Sequence, residues 1–344
     1  MNKLTLIQPD DWHLHVRNGA ILKTVIAHTA KQFARAIIMP NLNPPVLTVG
    51  QAMDYRSEIM QALPANSNFN PLMTLYLTNR LTEDEVKKAS KSEYVHAIKL
   101  YPAGATTNSD SGVNDFKDIY PILETMEKVD LPLLIHGEVT GNDCDIFDRE
   151  KVFVESSLND IVKRFPNLRI VVEHVTTKEA VDFVLTASDK IAATITPQHL
   201  MFNRNAILAG GIRPHHYCLP IIKREHHRKA LVEAAISGNP KFFLGTDSAP
   251  HLTGAKESSC GCAGCYSAYG AIELYAEVFE QAGALDKLEG FASLYGADFY
   301  QLTRNIKTIT LQKQNWTVPA SYQVDDKTIT PLKSSEVIGW KLAS

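Results

Sequence analysis

Short apolar runs recur along the chain, and stretches with apolar residues at helical spacing lie between most of them. The β-like runs are Leu4–Ile7, Ala34–Met39, Leu72–Leu77, Val95–Leu100, Leu133–His136, Arg169–His174, Ile191–Ile195 and Phe242–Gly245. Helices are expected where Thr82-Glu83-Asp84-Glu85 offers a capping start, after Thr177 over Lys178–Leu185, and over His226–Ile236 and Ala271–Phe279. Eight β runs separated by helical crossovers predict an α/β fold, a parallel (β/α)8 TIM barrel. Its usual size is about 250 residues plus insertions, so 344 residues read as a single domain, 1–344, with a C-terminal extension. That extension follows Asp247 as a helical pair, the run Ile306–Leu311 and a polar tail. Only ten residues precede Asp11, which leaves no room for a sheet domain at the N-terminus.

In such a barrel the chemistry sits at the C-terminal ends of the strands. Here those ends carry His13 and His15, Asn41, Lys99, His136, His174 and Asp247. His13 and His15, two apart on a strand, point the same way, and imidazoles suit zinc and similar ions. His136 and His174 each end an apolar run, where an unpaired buried imidazole is costly. Lys99 ends another, and a buried amine with a depressed pKa can react with carbon dioxide to give an anionic carbamate ligand. Asp247 can ligate a metal and also move a proton. Each residue alone has a bland reading: surface or core histidines, a strand-end lysine, an N-cap aspartate, a solvated Arg17. The combination on separate strand ends is what points to a metal centre.

Composition narrows the picture by exclusion. A net charge of −3 and the lack of a basic run give no reason to expect a nucleic-acid partner. No apolar stretch reaches the ~18 residues of a membrane span. No signal-like segment opens the chain, and five cysteines, an odd number, fit a reducing cytoplasm. Cys260, Cys262 and Cys265 lie within six residues, yet no second cluster supplies a fourth zinc ligand. A Gly-rich loop at the pocket mouth is the expectation there.

Five stretches carry a resemblance: Asp11-Trp12-His13-Leu14-His15-Val16-Arg17, Met39-Pro40-Asn41-Leu42, Lys99 to Asn108, His136-Gly137-Glu138 and Gly245 to His251. Together they resemble the amidohydrolase superfamily, and within it the shorter bacterial-type dihydroorotases. The resemblance implies reversible closure of N-carbamoyl-L-aspartate to L-dihydroorotate in pyrimidine synthesis. It implies two Zn2+ ions per chain, the first held by His13, His15 and Asp247 and the second by His136 and His174. Carboxylated Lys99 and a hydroxide would bridge them, with Asp247 as general acid and base. Arg17, Asn41 and His251 would grip the substrate carboxylate, while His136 and backbone groups at Leu219 and Ala263 would also face the substrate. Thr106 and Thr107 would lie on a mobile loop, and the chain would form a homodimer. Competing readings are a hydantoinase or allantoinase, a mononuclear deaminase that would not need Lys99, and a non-catalytic scaffold of the same fold.

Overall fold

A computed structural model describes residues 2–343. The N-terminal strand β1 (Lys3–Ile7) is followed at once by β2 (Asp10–Leu14). Then come β3 (Arg35–Ile38), β4 (Asn70–Leu77), β5 (Val95–Leu100), β6 (Leu133–His136), β7 (Ile170–Glu173), β8 (Ile191–Ile195) and β9 (Phe242–Leu244). Strands β2 to β9 form one eight-stranded sheet in sequence order, all pairs parallel. The sheet curls until its ends meet. Asp247 N–H donates to the His13 carbonyl at 2.9 Å, and Leu14 bridges Ser248 in parallel. This is the (β/α)8 barrel, with helices between the strands.

Seven of the expected runs become barrel strands, but Leu4–Ile7 does not. It pairs antiparallel with β10 (Thr308–Thr317), which pairs in turn with β13 (Val337–Leu342). Between them β11 (Tyr322–Val324) and β12 (Lys327–Ile329) form a hairpin. A small sheet built from both ends of the chain is therefore present, contrary to the expectation that the N-terminus leaves no room for one. One strand suffices because the C-terminal segment supplies the other two. The true first barrel strand, Asp-Asp-Trp-His-Leu, escapes an apolar search because its polar residues are all buried for the sake of the site.

Helix placement follows local chemistry. Thr48 and Gln51 form a reciprocal capping box at the start of helix Val49–Ala62. Thr82 caps helix Glu83–Ser90 by accepting from Glu85 N–H, but Glu85 sends its carboxylate to Val49 N–H rather than back to Thr82. Thr177 caps helix Lys178–Thr186 in the same way.

The barrel interior shows why the polar residues gather at one end. One apolar side chain from each strand, Trp12, Ile37, Leu72, Ala97, Leu134, Val171, Ala192 and Phe243, joins a single buried cluster. Ala297 and Tyr300 plug it from below, with Tyr300 stacked on Trp12 at 4.6 Å between ring centres. Gly296 is required here, since a Cβ would sit 2.0 Å from Trp12 Nε1. Side chains alternate along a strand, so the next inward position is two residues on. On β4 to β8 those positions hold Thr74, Lys99, His136, Glu173 and Thr194, every one buried.

Candidate metal centre and substrate pocket

The seam where β9 meets β2 brings His13, His15 and Asp247 together. Their nearest ligand-type atoms all lie within 4.8 Å of one another. His13 Nε2 is 3.3 Å from His15 Nε2 and 3.4 Å from Asp247 Oδ1, and His15 Nε2 is 3.2 Å from the same oxygen. Asp247 has φ +44, a region an L-residue adopts only when its surroundings hold it there. Burial works against its ionisation, but the hydrogen bond from His15 and the nearby imidazoles outweigh it and bring the carboxyl down to about 2. Burial also lowers His15 to about 3, so as a neutral imidazole it can offer a lone pair.

His174 stands beside this group, with ring centres 4.9 Å from His13 and 4.8 Å from His136. Its Nδ1 is buried with no partner, and burial holds the imidazole far below its usual protonation range. His136 gives one nitrogen, Nε2, to Glu138 at 2.8 Å. Lys99 is wholly buried, its Nζ unpartnered 4.9 Å from the Tyr101 ring centre. Burial pulls its amine down to about 8, against the upward pull of Glu173 and Asp247.

Orphaned donors and acceptors like these cost free energy unless something else satisfies them. A His-His-Asp group with a buried, unpartnered imidazole nitrogen beside it is a donor set that divalent zinc-like ions take. His13, His15 and Asp247 therefore fit one divalent ion of the kind the sequence implied. Among the described residues, the one group of three or more His, Cys, Asp or Glu atoms close enough to share an ion is His13, His15 and Asp247. The cysteines form no such group and all five are free thiols.

Arg17, Asn41, Tyr101, Thr106, Thr107, Leu219 and Ala263 line the same cavity as His13, His15, His136, His174 and Asp247. His251 sits at its edge, where Nε2 lies 3.1 Å from Arg17 Nη2 and 2.9 Å from the Ala263 carbonyl. Burial, then the Arg17 charge, keeps His251 neutral, down to about 2. The segment around Thr107 is folded down over the cavity. Asn41 Nδ2 donates to the Thr107 carbonyl at 3.0 Å, Asn108 Nδ2 to the Asn41 carbonyl at 3.0 Å, and Thr107 Oγ1 to the Ala263 carbonyl at 3.4 Å. The void left is about 20 Å³, room for roughly one water.

The loop carrying Ala263 is braced from behind. The buried Lys256 amine donates to the carbonyls of Tyr217, Cys262 and Gly264 at 2.7, 2.8 and 2.7 Å. Gly264 has φ +149, and a Cβ there would come within 2.7 Å of the Ala249 carbonyl oxygen.

Several residues at the site have roles that the sequence pattern does not mark. Asp11 accepts from His13 N–H at 3.1 Å, Thr246 N–H at 2.9 Å and Thr246 Oγ1 at 2.6 Å, tying the two sides of the seam. Burial raises its carboxyl to about 7 despite those bonds. Glu173 binds His13 Nδ1 at 2.7 Å. Glu150 accepts from the N–H and hydroxyl of both Thr176 and Thr177, fixing the turn after His174. The available signal was a carboxylate next to an apolar run, as in Val171-Val172-Glu173, but it does not say which neighbour the carboxylate serves.

No family model matches the chain. A dihydroorotase of Acaryochloris marina is 62% identical over 342 residues, covering 99% of each chain. The crystal structure of dihydroorotase from Campylobacter jejuni superposes with a TM-score of 0.92 at 36% identity, over 100% of this chain and 98% of that one. Dihydroorotase from Saccharomyces cerevisiae in complex with 5-fluoroorotic acid gives 0.91 at 34%, over 100% and 99%.

Proposed function

The chain belongs to the dihydroorotase family, and from that premise we propose how the residues at its rim carry out the reaction. The reaction itself is the reversible closure of N-carbamoyl-L-aspartate to L-dihydroorotate, a hydrolase activity on a cyclic amide. The hydantoinase, allantoinase, deaminase and scaffold readings give way to full-length identity near 60%.

His13, His15 and Asp247 would hold one divalent ion, zinc on the chemistry of the ligands, and His136 and His174 a second. Lys99 would serve both as its carbamate: its ammonium would first lose a proton, and the neutral amine would then add carbon dioxide and lose a second, turning a buried cation into an anion. When bound, such ions would supply Lewis acidity and make water nucleophilic near neutral pH. Arg17 and His251 bind the α-carboxylate, the guanidinium as a two-pronged donor. Asn41 exchanges its bond to Thr107 for one to that carboxylate. The Leu219 and Ala263 backbones align the ring. In hydrolysis Asp247 accepts the proton of the attacking water and delivers it to the departing ring nitrogen. In synthesis it takes the proton from the attacking ureido nitrogen. Thr106 and Thr107, on the loop that covers the cavity, exclude bulk water.

The observation that carries this reading is the convergence of His13, His15 and Asp247 within 4.8 Å beside a buried Lys99 amine that has no partner. The test is an assay of ring closure and opening with and without a chelator. Turnover in both directions, lost on chelation and restored by zinc, is expected. Turnover unaffected by exhaustive chelation contradicts the metal role.

We further propose one domain spanning 1–344, a cytoplasmic setting supported by the five free thiols, and a homodimer. No described helix is long and apolar enough to cross a membrane. Light scattering of the purified chain at twice the monomer mass supports the dimer, and monomer mass contradicts it.

A further inference from the structure

We propose that Thr194 is a positioning residue that ties the two halves of the metal centre together; this rests on the reading of His13 and His174 as ligands. β8 contributes no candidate ligand, yet its Thr194 hydroxyl is fully buried and doubly used. Its Oγ1 accepts the backbone N–H of His174 at 2.7 Å and donates to Glu173 Oε2 at 2.6 Å. The same Glu173 oxygen accepts from His13 Nδ1 at 2.7 Å.

The directions of these bonds are forced. A backbone N–H can only donate, so the hydroxyl proton must point to the carboxylate. The carboxylate only accepts, so His13 carries a proton on Nδ1, and in the neutral ring the lone pair is then on Nε2. Nε2 is the nitrogen that faces His15 and Asp247. At the other end of the chain of bonds, His174 has φ +42, a conformation that is strained for a β-carbon-bearing residue and persists only when held. The hydroxyl of Thr194 thus fixes the ring of His13 through Glu173 and the backbone of His174 directly.

The neighbouring strand end is shaped to admit this residue. A Cβ on Gly245 would lie 2.7 Å from Thr194 Cβ and 2.8 Å from its Cγ2. A threonine that only filled space would be exchangeable for valine, which has the same shape and no hydroxyl.

The experiment compares Thr194→Val, Thr194→Ser and Glu173→Gln with the wild type by zinc titration against a chromophoric chelator. Thermal unfolding of the metal-free proteins is followed alongside. Thr194→Val should weaken zinc binding about 10–100-fold, the scale of a lost outer-shell partner, and Thr194→Ser should stay within about threefold. Glu173→Gln should weaken binding as Thr194→Val does. Steady-state kinetics with subsaturating zinc should show a lower kcat and an unchanged KM, because the carboxylate grip lies elsewhere. Wild-type zinc affinity in a folded Thr194→Val overturns the proposal. If that variant does not fold, wild-type affinity in Glu173→Gln overturns it instead. A wild-type chain that binds no zinc sinks the underlying reading of the centre, a result distinct from either.

Discussion

The two ends of the barrel interior are built from the same strands by the same alternation, and they are opposites. At the lower level eight apolar side chains and the Tyr300 plug pack without an unmet polar need, apart from the Tyr300 hydroxyl. Two residues up, Lys99 Nζ and Glu173 Oε1 are buried without partners, and His174 Nδ1 is in the same state nearby. The lower level is optimised for the folded chain alone. The upper level leaves polar groups unmet, and in the folded chain alone that is a cost. Stability and function are thereby separated along one axis, so substitutions at the two levels should move them in different directions.

The largest effect is expected from Trp12→Ala at the lower level. It removes a fully buried indole stacked on Tyr300, and should cost about 3–5 kcal/mol in urea unfolding. A cost under about 1 kcal/mol would show that the plug is not structural. Asp247→Asn at the upper level should cost less stability than Trp12→Ala while turnover falls about 10²–10⁴-fold, the usual scale for losing a proton-transfer group. A kcat within tenfold of wild type would remove Asp247 from that role.

Lys99→Met sharpens the contrast, because it should gain stability as it loses function. Without metal, the folded chain holds the Lys99 amine at about 8 against 10.5 when unfolded, so between those values the unfolded chain binds more protons. Stability of the metal-free protein therefore rises with pH across that window, and the full penalty is present below it. Methionine removes the penalty, so the metal-free variant should be stabilised by roughly 3 kcal/mol at pH 7 and should lose the rise above pH 8. Chemical unfolding at pH 7 and pH 10 checks this, and equal destabilisation at both would contradict it. The smallest effect is expected from Thr107→Ala, which removes one hydrogen bond worth about 1 kcal/mol to loop closure; KM should rise about fivefold, with no change in unfolding because the loop opens locally before the barrel does. An unfolding midpoint that shifts would place Thr107 in the framework rather than the loop closure.

Much of this was legible from sequence, for a physical reason. Strands buried on both faces are continuous apolar runs, and β3 to β9 announce themselves as such. The polar residues that end them stand out against that background, which is how Lys99, His136 and His174 were found. β2 fails the same test because Asp11 and His13 occupy positions that an apolar pattern would fill. Leu4–Ile7 reads as a barrel strand by local pattern alone, because its pairing with Thr308–Thr317 depends on contacts some 300 residues away. The carboxylates around the centre share that limit. Glu173 is visible as an acid at a strand end, but its partnership with His13, 160 residues earlier, exists only once the barrel closes. Thr194 is hidden further, since a threonine in a β run is ordinary. Its role appears only through the bonds at its two ends.

The most direct measurement of the central claim is the metal content of the purified chain after dialysis, by inductively coupled plasma mass spectrometry, for wild type and Lys99→Met together. Two divalent ions per wild-type chain and fewer than one in the variant are the outcome expected of a rim built around a lysine carbamate. A wild-type chain carrying none, or a variant that keeps both, would contradict it.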